Sequence, residues 1–167
     1  MKTKKLTRMA LLSAIALTIF LVEAQIPMPV PIPGVKLGLA NIITVYAVFT
    51  LGGWEAAGIL TVRVILGAVF SGQMMNLLYS AAGGALALLV TLGLRRILTE
   101  RQIWVAGCLG AVAHNLGQIG VAIAVTQTPA IITYLPVLLV SGLVAGLFTG
   151  LAAQAILGHM RRIKTKV

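Results

Sequence analysis

An arginine interrupts an otherwise apolar stretch, "ILTVRVILG". Arg63 lies nine residues after Trp54, or about 13 Å along a helix at 1.5 Å per residue. An ionised guanidinium at that depth in an apolar segment demands an anionic partner, a water-filled cavity or an anionic ligand. The chain offers three glutamates, Glu23, Glu55 and Glu100, and no aspartate. Glu23 can meet Arg63 only if both side chains reach; Glu55 shares its side but lies about 12 Å lower. A second polar group stands in "AHNLGQIG". His114 and Gln118 are four apart and share a helical face, with Asn115 beside them. Three hydrogen-bonding side chains in one turn must point into a bundle rather than into lipid. They serve either as interhelical hydrogen bonds or as the polar wall of a ligand cavity. Asn41, Gln73 and Asn76 are candidates for the same wall. Lys36, which follows the prolines in the run "IPMPVPIPGVKLG", is positioned to meet an anionic ligand or lipid headgroups.

These residues need elements to hold them, and the composition names the solvent. The 167 residues are 59% apolar and 10% charged, with a mean hydropathy of +1.04. Soluble domains carry about a quarter charged residues. Apolar runs of roughly membrane-spanning length recur, at about 6–24, 37–52, 54–71, 74–94, 103–126 and 131–158. The expected fold is therefore an all-α integral membrane protein, a six-transmembrane-helix bundle in a single domain. Only "GG" separates the second run from the third, which implies a tight hairpin. Eleven of the 13 Lys and Arg residues then collect on one side. The positive-inside rule makes that side cytoplasmic, with both termini there, in the cell membrane. "MKTKK" followed by an apolar stretch and "VEAQ" also resembles a cleavable signal. The length of the run and its small-residue pattern argue against that reading.

Several function classes drop out. The net charge of +10 comes from residues at the ends of apolar segments, not from a basic patch interleaved with aromatics, so nucleic acid is not the partner. One cysteine, Cys108, excludes an internal disulfide. His114 has no nearby carboxylate or thiolate with which to build a metal site. Phosphate-loop, H-E-x-x-H and G-x-S-x-G motifs are missing, and no aspartates exist to hold a magnesium diphosphate. The chain reads as non-catalytic and cofactor-free, a binding and translocation subunit driven by partners.

Small residues mark the packing faces, since helices in lipid associate by close approach rather than by hydrophobic drive. Gly142, Gly146 and Gly150 form one stripe. Ala10 and Ala14, with Thr18 one turn on, form another near the basic end; it reads as bundle packing or as a docking face for a second membrane subunit. Pro27, Pro29, Pro31 and Pro33 favour a stiff, extended connection between the first two helices. That connection reads as a lid, or as a rigid turn that ends the first helix.

The run from "KKLTRMALLSAIAL" through "IPGVKLGLANIITVYAVFTLGG" resembles the substrate-binding S components of energy-coupling factor transporters. More narrowly it is similar to the Gx transporter family, often labelled heptaprenyl diphosphate synthase component I. "PGVKLGLAN" is the most specific part, and the likeness covers essentially the whole chain. The resemblance implies a six-helix subunit that binds a small molecule near the outer face. It implies docking, through an A-x-x-x-A face matched by Ala10 and Ala14, onto a coupling transmembrane subunit with cytoplasmic ATPases. It also implies that residues 27–36 help to close the site. Lys36, Arg63 and apolar walls suggest an anionic or isoprenoid ligand. The label's enzyme chemistry is not available to a chain without aspartate. Two alternatives are an accessory subunit in prenyl diphosphate or quinone metabolism and a scaffold of a membrane redox complex.

Overall fold

The structure, a computed structural model, describes residues 2–26 and 36–165. The four alternating prolines, and with them the expected lid, lie outside the described residues. Six helices form: α1 (Lys2–Glu23), α2 (Asn41–Thr50), α3 (Gly53–Ser71), α4 (Met75–Leu94), α5 (Ile103–Thr126) and α6 (Leu135–Thr165). Short 3-10 turns, Glu100–Gln102 and Pro129–Tyr134, lead into α5 and α6. The described residues contain no strand. A chain this apolar satisfies its backbone groups within helices because lipid supplies no partners.

Five of the six expected spans have the length of a membrane crossing among the described residues. α1, α3, α4, α5 and α6 are long and apolar enough to cross a membrane. α2 has ten residues, about 15 Å, half the hydrocarbon thickness of about 30 Å. The apolar run 37–52 had suggested a full span. Its first residues instead adopt a non-helical path, with Gly38 at φ +81°, a conformation open to glycine and costly for other residues. At the other end Gly52, at φ +127°, turns the chain directly into α3, the expected hairpin.

α2 nevertheless sits at the centre and touches each of the other five helices. Asn41, Ile43, Thr44, Val45, Ala47 and Val48 are all buried. α1 lies to one side and contributes Ser13, Ala16, Phe20 and Glu23 to the interior, a single helical face. Its opposite face, with Ala10, Ala14 and Thr18, is exposed.

α5 is wedged between α4 and α6 by glycine contacts. A Cβ on Gly117 would stand 2.8 Å from Gly83 Cα of α4. A Cβ on Gly146 would stand 2.6 Å from the Gly107 carbonyl and 2.8 Å from Cys108 Cα of α5. The Gly142, Gly146 and Gly150 stripe thus faces α5, and its role is packing within the bundle.

The two ends of the bundle differ in chemistry. Lys5 pairs with Glu55, and Arg161 with Glu100. Arg95 approaches the α2–α3 turn. These contacts gather the start of α1, the α2–α3 turn, the α4–α5 connection and the end of α6 at one basic end.

Gly146→Ala is expected to lower stability by about 1–3 kcal/mol, because the new methyl meets backbone rather than a yielding side chain. Gly158→Ala, whose methyl would meet nothing within 4 Å, should change it by less than about 1 kcal/mol. Detergent-unfolding midpoints of the two variants test the wedge.

Candidate functional site

The site begins where α1 ends. The Glu23 carboxylate, 4% exposed, accepts the Gly38 N–H at 2.5 Å and the Ala40 N–H at 3.5 Å. Both donors precede α2, so a side chain supplies the acceptors that a preceding helical turn would have supplied. On the other side Gln118 of α5 holds the Lys36 peptide. With its amide oriented to satisfy its neighbours, the Gln118 nitrogen donates to the Lys36 carbonyl at 3.0 Å. The Gln118 oxygen accepts the Lys36 N–H at 3.2 Å and the His114 Nε2–H at 3.1 Å. Residues 36–40 are thereby clasped between α1 and α5.

Glycines set the spacing of this clasp. A Cβ on Gly83 would stand 2.8 Å from His114 Nδ1, and one on Gly38 would stand 3.0 Å from His114 Cδ2. The imidazole fills the gap between them. Gly38 also adjoins Asn41, whose Nδ2 would be 2.9 Å from a Cβ there.

The clasp delivers Lys36 onto Phe20. Its ammonium lies 3.6 Å from the ring centroid, well within the roughly 6 Å range of a cation–π contact. The Arg63 guanidinium approaches the same ring at 5.9 Å. Phe20 itself packs on Gly67 of α3, where a Cβ would stand 2.7 Å from the ring edge. Two cations therefore converge on one aromatic ring, both of them buried. Glu23 attracts both electrostatically, but its oxygens are engaged by backbone. Burial pushes the Lys36 ammonium below its ordinary pKa, and Glu23 opposes that shift.

The polar atoms left over define the site's capacity. Among the described residues, Lys36 Nζ, Arg63 Nε and Nη2, His114 Nδ1 and both amide atoms of Asn41 are buried without a hydrogen-bond partner. Native interiors leave few such groups, and each asks for an explanation. Here they are mostly donors, around two cations. The arrangement is suited to receive an anion.

Five of the eight candidates, Lys36, Asn41, Arg63, His114 and Gln118, come together. Three are placed elsewhere. Asn115 turns toward α6 and donates to the Leu138 carbonyl at 2.5 Å, so it joins helices. Asn76 donates to Ser71 Oγ at 3.0 Å across the α3–α4 turn. Gln73 is exposed on that turn. The suggested Glu55 partner for Arg63 is also corrected, since Glu55 pairs with Lys5 at the basic end. The candidate set omits Phe20 and Glu23. Their signal was their spacing, three apart on one face of α1.

Gln118→Leu is expected to cost about 3 kcal/mol or more, because it orphans the Lys36 N–H and carbonyl and the His114 Nε2–H at about 1–3 kcal/mol each. Gln73→Leu on the exposed turn should stay within about 0.5 kcal/mol. Unfolding midpoints in detergent measure both.

Comparison with known proteins adds one finding. The family model described as heptaprenyl diphosphate synthase component I matches residues 12–156. That match takes in α2, α3, α4 and α5 whole, parts of α1 and α6, and every residue of the clasp. Neither a curated protein nor a solved structure matches the chain. The chain belongs to the heptaprenyl diphosphate synthase component I family.

Proposed function

We propose that this protein is the substrate-binding membrane subunit of an uptake transporter, of the S-component type, and that it binds a small anionic molecule. The observation that carries the reading is the set of buried, unpartnered polar atoms of Lys36, Asn41 and Arg63 around Phe20. A structural ion pair with Glu23 would have used the two cations, but the Glu23 oxygens accept the Gly38 and Ala40 N–H groups instead. A ligand carrying a carboxylate or phosphate would satisfy the cations, and an isoprenoid or quinone-related body would lie against the apolar walls. The protein binds and releases; it does not catalyse. By the positive-inside rule the basic end and both termini would face the cytoplasm, and the clasp would then lie toward the outer face of the cell membrane.

The exposed face of α1 supports the partner half of the reading. Ala10, Ala14 and Thr18 present a smooth surface, with the Thr18 hydroxyl turned back to the Ala14 carbonyl at 3.0 Å. A coupling transmembrane subunit, itself driven by ATPases, would pack there by close approach. The family description favours a second reading, in which the chain is a non-catalytic component of a prenyl diphosphate synthase.

Native mass spectrometry of the protein purified from its own membrane is expected to show one retained anionic small molecule. Arg63→Gln and Lys36→Gln should each lower that retention at least about tenfold, corresponding to about 1.4 kcal/mol. A neutral retained ligand, or unchanged retention in both variants, counts against the reading.

Ala10→Trp alters an exposed position, so the variant should fold and keep its ligand. It should lose co-purification with the coupling subunit and ATPases. Recovery of the wild-type chain with a prenyl synthase instead would favour the second reading.

A further inference from the structure

A groove separate from the clasp opens at the basic end. It runs between α1 and α6, with α2 as its floor, and encloses about 300 Å³. Leu12, Phe49, Leu157 and Met160 supply apolar walls, and Arg8 and Arg161 stand among them. The shortness of α2 makes the groove, because α1 and α6 both pack on it and it extends only about 15 Å. Arg8 is exposed and, among the described residues, takes part in no ion pair, whereas Arg161 shares its charge with Glu100. The groove therefore combines an apolar slot with a cation at its basic end that no ion pair among the described residues compensates.

We propose that this groove is a specific site for one anionic glycerophospholipid of the leaflet at the basic end. Its phosphate lies against Arg8, with Arg161 beside it, and its acyl chain lies along the Leu12 and Met160 walls. Charge complementarity selects the occupant. A neutral zwitterionic lipid carries its own cation and leaves Arg8 unanswered. Basic pockets between membrane helices bind anionic headgroups on this principle, and each basic residue near an anionic lipid surface contributes about 1 kcal/mol. The site rests on residues that the clasp does not use, so it stands or falls independently of the transported ligand.

Native mass spectrometry in a neutral detergent tests it, with phosphatidylglycerol and phosphatidylcholine of matched chains added at equal concentration. The wild-type chain should retain one phosphatidylglycerol in preference to phosphatidylcholine. Arg8→Gln should reduce that preference roughly fivefold, and Arg8→Lys should keep most of it. Arg96→Gln removes an exposed charge at the same end, outside the groove, and should leave the preference intact. Both positions changed are exposed, so these variants should fold. Equal retention of the two lipids overturns the proposal; so does an equal effect of Arg8→Gln and Arg96→Gln. If the groove instead seats a helix of a partner polypeptide, the isolated chain shows no headgroup preference, which also overturns it.

Discussion

Glu23 and Gln118 hold residues 36–40 from opposite sides, and much of the interior depends on that hold. A non-helical segment within an apolar bundle exposes backbone donors and acceptors that lipid cannot satisfy. The Glu23 carboxylate takes the Gly38 and Ala40 N–H groups, and the Gln118 amide takes both polar atoms of the Lys36 peptide. With those groups satisfied, the chain need not be helical before Asn41. α2 can then start late, lie at the centre and stay short. The same hold aims Lys36 at Phe20 and brings Asn41 beside His114. The fold and the cluster are therefore one solution to one constraint.

Rigid support for the clasp comes from the glycine wedge. α4, α5 and α6 approach so closely at Gly83, Gly107, Gly117 and Gly146 that a methyl group has no room. Close packing substitutes in lipid for the hydrophobic drive of a soluble core. α5 is fixed on both flanks, so His114 and Gln118 are held at a set distance from α1. The α1 side is built differently. α1 buries one narrow face and leaves most of its surface outward, with an ion pair to Glu55 at its start and the clasp at its end.

Much of this arrangement was legible in the residues, and the limits have physical causes. The helices appeared as apolar runs because length and hydropathy are local properties. His114 and Gln118 could be assigned to one inward face from their spacing alone. Asn115 lies one residue around from His114, and no local rule says that the neighbour on that side is α6 rather than the cluster. The late start of α2 was hidden for a similar reason. Residues 37–40 are as apolar as any helix here; what unwinds them is a carboxylate from a preceding helix and a glycine whose φ is a tertiary outcome. Glu23 read as a partner for a side chain, yet its hydrogen bonds go to backbone. Asn76 and Gln73 looked alike, but the turn after Gly72 buries one and exposes the other.

The proposed anionic ligand follows from the charge count of the cluster rather than from any single contact. Lys36 and Arg63 bring two positive charges into the interior, and Glu23 brings one negative charge. A buried charge is tolerated where an opposite charge and hydrogen bonds replace its lost hydration. Glu23 offers the charge but not the hydrogen bonds, because its oxygens are committed to the backbone of 38 and 40. Phe20 offers Lys36 its ring face, a partial substitute for hydration. The guanidinium of Arg63 is left with the weaker ring contact at 5.9 Å. A bound monoanion would bring this small set to neutrality and supply acceptors to the donors that lack them. A cation would add to the imbalance, and a neutral molecule could supply acceptors but would leave the excess charge in place. On this account the clasp keeps Glu23 from pairing fully with the two cations, and the ligand completes what the backbone has taken away.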